Sequence, residues 1–359
     1  MTPELTLLEV CTQHAPLCTG RMVIVGRRRL ILRLLAEGVA VEGEAAPLPG
    51  YGQDSLEQAK AELSALNAVD ILSWVGTICE LKNPALAVDA IWPYCRKINS
   101  PAARFCVEML ILRAAAERLK KPLWALLCEQ PVAHQLATSQ VIDLSDADAA
   151  RTARRAARAG IGTLKIKCGS QPDREEQALR DLVRALPSEV RVRLDANAAW
   201  DQAVAERFVR LGAELAVEWI EDPKPEVRSW NSLRQPGQRA PAFAIDEPLG
   251  SYHPDGPEPP AGEVLVLKPM ALGGFSVCQK WATWARQHDK QVCISHLLDG
   301  SLALRACIAL AFAVQSPEVA AGLGQHRGLA ASSAKGHRIE YLRPAFLRLF
   351  AAEEDRPPL

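Results

Sequence analysis

The sequence predicts an α/β chain: a (β/α)8-type barrel preceded by an N-terminal α+β capping domain. Three observations predict it. Short apolar runs recur, each ending in a chemistry-bearing residue: Leu164-Lys-Ile-Lys-Cys168, Val192-Arg-Leu-Asp195-Ala-Asn197, Val217-Glu-Trp-Ile-Glu221-Asp-Pro223, Phe243-Ala-Ile-Asp246-Glu247-Pro248 and Val264-Leu-Val-Leu-Lys268-Pro269. Their spacing is regular, with 28 residues from Lys167 to Asp195, 26 to Glu221, 25 to Asp246 and 22 to Lys268, about one strand, one helix and two loops per repeat. The 359 residues also hold a barrel of ~250 residues with room for a second domain of ~100. The expected division is a cap over 1–128, a barrel over 129–325, and a C-terminal segment over 326–359 packing back on barrel or cap.

The elements follow in order. Leu5–Val10, Met22–Val25, Leu30–Leu35 and Val39–Glu42 carry β patterns, with a turn at Ala36-Glu-Gly38, and read as an antiparallel meander. Gly43 to Gly52 is a loop by its prolines and glycines, Asp54-Ser-Leu-Glu-Gln starts a helix, and a second helix runs from Pro101 to Leu119. From His134 strands and helices alternate: strand Gln135–Ile142, helix Asp146–Ala159, strand Thr163–Cys168, then helices over Asp173–Leu186 and Gln202–Leu211 between the acidic strands. Ser229–Arg234 is a short helix at best, and Leu249–Gly262, with four prolines, is an open loop where the repeat calls for a helix. Gln291–Ser295 is the seventh barrel strand, Ser301–Val314 its helix, and Val319–Gly322 the eighth.

Lysine plus arginine balances aspartate plus glutamate at 42 each, so no overall field recruits nucleic acid or an anionic membrane. Arg27-Arg28-Arg29 reads as a solvated hairpin face rather than a phosphate site. The ten cysteines contain no Cys-x-x-Cys pair, and Cys106, Cys293 and Cys307 lie in apolar runs, which implies buried thiols and a reducing compartment. The start Met1-Thr-Pro-Glu has no secretory pattern, and the most apolar stretch is short and broken by Arg305. The expectation is a cytoplasmic protein, monomeric or weakly homo-oligomeric, acting on a small-molecule carboxylate without nucleic acid or membrane.

A strand carrying lysines at i and i+2 turns both amines to one face, so Lys165 and Lys167 share a site. Two ammonium groups in a partly dry pocket disfavour each other's charge, which lowers one pKa towards that of a base. Residues at the C-terminal ends of barrel strands point into one site. There, carboxylates from three neighbouring strands make an oxygen-only cation site suited to Mg2+, with Mn2+ as a substitute, rather than zinc.

Taken in order, Lys-x-Lys, Asp-x-Asn, Glu-x-Pro, Asp-Glu and Lys-Pro at successive strand ends resemble the enolase superfamily, in its muconate-lactonizing subgroup, over nearly the whole chain. Within it, Gly43-Glu-Ala-Ala-Pro-Leu-Pro-Gly-Tyr51, Arg193-Leu-Asp-Ala-Asn197 and Ile294-Ser295 through Ser301-Leu302 are most similar to the o-succinylbenzoate synthase family of menaquinone biosynthesis. The resemblance implies Asp195, Glu221 and Asp246 as Mg2+ ligands, Glu221 rather than Glu218 because it stands two before the proline. It implies Lys167 as acid/base, Lys165 as the neighbour that sets its pKa, and Lys268 as the opposing cation. By the same resemblance Asn197, Glu247 and Arg193 would support the site, and Ser295 and Gly322 would line the pocket's succinyl end. Two departures stand out: Gly324 where the pattern has an acid, and the proline-rich loop in place of a short helix.

The chemistry implied is that of a lyase. Lys167 removes a proton α to a carboxylate and returns it to a departing hydroxyl, with Mg2+ and Lys268 stabilising the enediolate. Loops at Pro47–Gly52 and Leu17–Arg21 are expected to close over the site. Within the same superfamily the alternatives are N-succinylamino-acid racemisation and dipeptide epimerisation, in which Lys167 and Lys268 exchange a proton across two faces. From other classes, a Schiff-base aldolase needs no triad of carboxylates, and an inactive barrel acting as a binding module needs no lysine set.

Overall fold

The computed structural model describes residues 2–18, 23–36, 38–235, 237, 239–324 and 346–348. The cap begins with strands β1 (Glu4–Cys18), β2 (Val23–Ala36) and β3 (Val39–Ala45), an antiparallel sheet in that order. Leu30, Leu32 and Leu34 alternate along β2 and are buried, the period-2 pattern of a sheet with one covered face. Four helices follow: α1 (Leu56–Ser64), α2 (Ala68–Cys79), α3 (Ala87–Cys95) and α4 (Pro101–Leu119). Ser55, Asn67 and Ser100 cap α1, α2 and α4 by accepting the amide protons of Gln58, Asp70 and Ala103. The helix α4 is buried from Ala102 to Ala116, as befits a helix held between the cap sheet and the barrel. Helices α2 and α3 fill a stretch that the sequence reading left unassigned; their signals, Asn67 with Asp70 and a proline inside α3, are local and weak.

The barrel consists of β4 (Gln135–Ala137), β5 (Gln140–Asp143), α5 (Ala149–Arg158), β6 (Thr163–Lys167), α6 (Pro172–Arg184), β7 (Arg191–Asp195), α7 (Gln202–Glu214), β8 (Trp219–Glu221), β9 (Ala242–Ile245), β10 (Val264–Leu267), α8 (Pro269–Leu272), α9 (Phe275–Gln287), β11 (Gln291–Ile294) and α10 (Ser301–Val314). Strands β5 to β11 form one seven-stranded parallel sheet. Its two ends are joined by the expected eighth strand, reduced to single bridges: Ala321 pairs with Thr138 and Gly322 with Ser295. A Cβ at Gly322 would lie 2.6 Å from the Ser295 hydroxyl, so the seam closes on glycine. The single strand expected over Gln135–Ile142 is two, because its first half pairs antiparallel with β12 (Phe346–Arg348). The rest of the segment over 326–359 lies outside the described residues. In two repeats the outer helix is replaced by 3-10 turns, Val227–Leu233 and Glu247–Ser251, the second opening into the proline-rich loop. No helix among the described residues is long and apolar enough to cross a membrane.

The arginine run is not a solvated face. Arg28 points outward to Glu9, but Arg27 and Arg29 are buried where the cap meets the barrel. Beside them the Glu44 carboxylate takes the amide protons of Gly300 (2.6 Å) and Ala303 (3.3 Å), capping α10 from another domain. Glu108, inside α4, does the same for α9: it accepts from the Phe275 (2.6 Å) and Ser276 (3.2 Å) amides and from the Ser276 hydroxyl. Two buried cap carboxylates therefore seat on the positive ends of two barrel helices.

Burial pushes Glu108 up to about 7 against the pull of its donors. A carboxyl raised in the folded state contributes stability below its unfolded value, about 4.5, that is lost as pH rises through 7. Glu108→Gln is expected to flatten that dependence. Between pH 5 and pH 8 the wild type should lose on the order of 1–3 kcal/mol more than the variant, read as the difference in thermal midpoint at the two pH values. Parallel pH profiles would contradict this assignment.

Candidate active site

The site forms where the parallel register ends. Lys167 pairs with Asp195 across β6 and β7, and Asp195 with Glu221 across β7 and β8. Asp246 and Lys268 stand one residue beyond β9 and β10. In-register neighbours on parallel strands point the same way, so these side chains form one layer across the barrel mouth. Below it Trp219, Ala244, Val264, Val266, Cys293 and Val319 pack the interior.

The lysines and carboxylates are interleaved. Lys165 Nζ donates to Asp195 Oδ2 (2.8 Å) and to Glu221 Oε1. Lys268 Nζ donates to Asp246 Oδ2. Lys167 Nζ reaches Asn197 Oδ1 at 2.9 Å and Asp195 Oδ2 only at 3.3 Å. With 21% of its side chain exposed, against 13% for Lys165 and 11% for Lys268, it is the most accessible amine of the three.

Of the two lysines expected to disfavour each other's charge, Lys165 goes the other way: burial pulls its pKa down, but the charges of Asp195, Glu221 and Asp246 outweigh burial and hold it well above the ordinary lysine value. Lys165 lies between two of the carboxylates and Lys268 against the third. Lys268 is likewise raised, its burial outweighed by Asp246 and Glu247. Burial disfavours the charge on Asp195, yet Lys165 and Lys167 hold it well below the usual carboxylate range. Glu221 is pushed up to about 7 by burial and by the charges of Asp195 and Asp246. Asp246 is raised by burial, with Glu247 adding to the shift. Four carboxylates, Asp195, Glu221, Asp246 and Glu247, share the mouth with three lysines, Lys165, Lys167 and Lys268.

Two residues that hold the site's backbone escaped the sequence reading. Asp222, fully buried, accepts the Asp246 and Glu247 amides at 3.0 Å each and so fixes the backbone that presents those two side chains. Burial and a hydrogen bond with Glu247 raise its pKa well above the carboxylate range. Asp222, Asp246 and Glu247 are also the carboxylates, among the described residues, whose oxygens all lie within 4.8 Å of one another. Each Asp222 oxygen accepts one backbone amide, and of these three acids Glu247 lines the cavity. Asp222 has φ +43° and Asn197 φ +46°, left-handed conformations forced on non-glycine residues at the strand ends. The acidic residue before a proline was the available signal, and it was absorbed by Glu221. Glu175 also went unnoticed: it binds the Gly169, Ser170 and Gln171 amides and holds the loop after Lys167.

The remaining predicted residues divide. Asn197 bridges Lys167 to Glu247, donating to Glu247 Oε1 at 3.3 Å. Arg193 lies below the site rather than in it, stacked 3.6 Å over Trp219, donating to Glu218 (2.5 Å) and to the Ala320 carbonyl (2.7 Å). It braces the closing segment, and Glu218 is occupied by Arg191 and Arg193. A cavity of about 650 Å³ opens above the layer, lined by Lys165, Lys167, Asp195, Asn197, Glu247 and Lys268, with Ser295 and Gly322 at its seam. Leu48 and Tyr51 of the cap loop also line it, while the side chains of Leu17–Arg21 lie outside the described residues. At Gly324, where an acid was expected, a Cβ would lie 2.5 Å from the Ser139 carbonyl, and His296 Nε2 meets the Gly324 carbonyl at 3.1 Å.

Residues 148–337 match the family model described as enolase C-terminal domain-like. The chain is 28% identical over 254 residues to protein PHYLLO, chloroplastic, of Arabidopsis thaliana, covering 66% of this chain but only 15% of that protein's length. It is 25% identical to the o-succinylbenzoate synthase of Desulfotalea psychrophila, over 86% of this chain and 89% of the relative. Among solved structures, the dipeptide epimerase from Methylococcus capsulatus complexed with Mg and the dipeptide L-Arg-D-Lys superposes with a TM-score of 0.76 at 23% identity, covering 97% of each chain.

Asp222→Ala would leave two buried amides without acceptors, at a cost of about 1–3 kcal/mol each. The urea midpoint is expected to fall accordingly. A variant within about 0.5 kcal/mol of the wild type would show that the clamp contributes nothing.

Proposed function

Because the chain belongs to the enolase superfamily, we propose that it catalyses the o-succinylbenzoate synthase reaction, the dehydration of succinyl-hydroxycyclohexadiene-carboxylate in menaquinone biosynthesis. The observation that carries this reading is the inequality of the two lysines facing the cavity. Lys167 is the more exposed and loosely held, on an amide oxygen and a long carboxylate contact, whereas Lys268 is paired directly with Asp246. A single mobile base suits an elimination in which the same residue removes the proton and assists the leaving group. The likeness to the Desulfotalea psychrophila synthase, over 86% of this chain and 89% of that one, supports the same reading.

Asp195, Glu221 and Asp246 would hold the divalent cation. The fit rests on their chemistry here: an all-oxygen set, two members already meeting at one cationic point, Lys165 Nζ, with four carboxylates to three lysines at the mouth. When bound, Mg2+ or Mn2+ supplies Lewis-acid stabilisation of the charge that develops on the substrate carboxylate. The chain's own residues do the rest. Lys167 takes the proton from the carbon α to the carboxylate, and its ammonium returns that proton to the β-hydroxyl. The C–O bond breaks, water leaves, and the new double bond completes an aromatic ring. Lys268 adds fixed positive charge opposite Lys167, Asn197 orients the Lys167 amine, and Ser295 and Gly322 bound the succinyl end. The cap over 1–128 closes the pocket over the barrel of 129–325.

One observation favours a second reading, racemisation of N-succinyl amino acids or epimerisation of dipeptides: Lys167 and Lys268 both line the cavity, as a two-base exchange requires. Substitution separates them. In an elimination Lys167→Arg should lose at least about a thousandfold in kcat, while Lys268→Arg keeps a measurable fraction, because arginine can replace a charge but not a base. In a racemase both variants fail alike, and the wild type exchanges the α-proton of either enantiomer of an N-succinyl amino acid with deuterated solvent. Excess EDTA should abolish turnover in either case, and its persistence would remove the metal from the reading.

A further inference from the structure

An apolar part of the cavity wall is built from two domains. Leu48 comes from the cap loop after β3, and Leu297 and Leu298 from the barrel loop after β11. These loops share a fastener. Arg27, in β2 and 6% exposed, sends one guanidinium nitrogen to the Pro47 carbonyl (2.7 Å) and the other to the carbonyls of Ala46 (2.5 Å) and Leu297 (3.1 Å). One side chain thus grips the backbone on both sides of the domain boundary, immediately beside the apolar side chains that face the cavity.

The gripped turn does not rest in an easy conformation. Leu298 has φ +53°, which a γ-branched residue adopts only when its surroundings hold it there. Its amide is turned back onto His296 Nδ1 at 3.0 Å. The fork suits the task, because a planar guanidinium spans several carbonyls that a lysine ammonium cannot reach together. Its buried charge is opposed by Asp299 and Glu44, and Glu44 in turn caps α10 directly after the same turn.

We propose that Arg27 is a positioning residue that locks the Leu48 wall of the cap to the strained Leu297–Leu298 turn of the barrel, and so sets the apolar surface against which the substrate ring lies. The Arg27 hydrogen bonds go to loop carbonyls rather than to the site lysines or the carboxylates paired with them, so its effect falls on binding rather than on proton transfer. The role as a substrate wall rests on the function proposed above, whereas the lock itself does not.

The test compares the full-length wild type with Arg27→Met and, as a control from the same hairpin, Arg28→Met. Hydrogen–deuterium exchange should accelerate about tenfold or more in segments 44–52 and 295–300 of the Arg27 variant, and stay unchanged in the control. With the cyclohexadiene substrate, KM should rise about fivefold or more while kcat stays within about threefold. Exchange within about twofold of the wild type in both segments would overturn the lock. Accelerated exchange with unchanged KM, or a loss confined to kcat, would overturn its role as a substrate wall. If the wild type does not turn over this substrate, the proposed reaction fails, and the exchange data alone decide whether Arg27 locks the two loops. Should Arg27→Met not fold, Arg27→Lys keeps the buried charge, loses the fork, and is subject to the same outcomes.

Discussion

Everything at the mouth of this barrel depends on the register of three parallel strands. Lys167, Asp195 and Glu221 are side by side because β6, β7 and β8 pair without a slip, and a shift of one residue would send all three to the outer face. In-register pairing also crowds like charges, and the interleaving of lysine with carboxylate is what makes the layer tolerable in a buried setting. Lys165 satisfies two carboxylates at once, while the next inward residue on the strand, Lys167, is the more exposed of the two. The alternation of the strand thereby produces two lysines of different character from one motif.

Such a layer needs a rigid frame, and the frame is secured at two weak places. The first is the seam between β5 and β11, where strand pairing shrinks to Ala321 and Gly322. Arg193 compensates from across the interior by holding the Ala320 carbonyl while its guanidinium stacks on Trp219. The second is the junction of cap and barrel. Glu44 and Glu108 replace the capping side chains that α9 and α10 lack in their own sequence, where Gly274 and Gly300 stand at the N-caps. A cap that detached would strand two buried helix ends without acceptors, so the position of the cap over the cavity is set by backbone hydrogen-bonding demand as well as by apolar packing.

The sequence by itself determined the alternation of strands and helices and the order in which the chemistry-bearing residues arrive. Both follow from local periodicity: apolar runs of four or five residues ending in lysine or acid repeat at intervals that suit one β/α unit. Helices α4 and α10 end where their patterns end, at Leu119 and Val314. What needed tertiary structure was whatever depends on a partner far along the chain. Arg27 and Arg29 look like surface residues until Leu297, 270 positions away, and Glu44 supply acceptors in the interior. The pKa of Lys165 stands raised because three carboxylates from other strands outweigh its burial, a balance that no spacing in a single strand reveals. Asp222 is the residue next to Glu221 in a motif that was noticed, yet only the fold shows its carboxylate holding the backbone of Asp246 and Glu247, because those two amides come from a strand end more than twenty residues further along the chain.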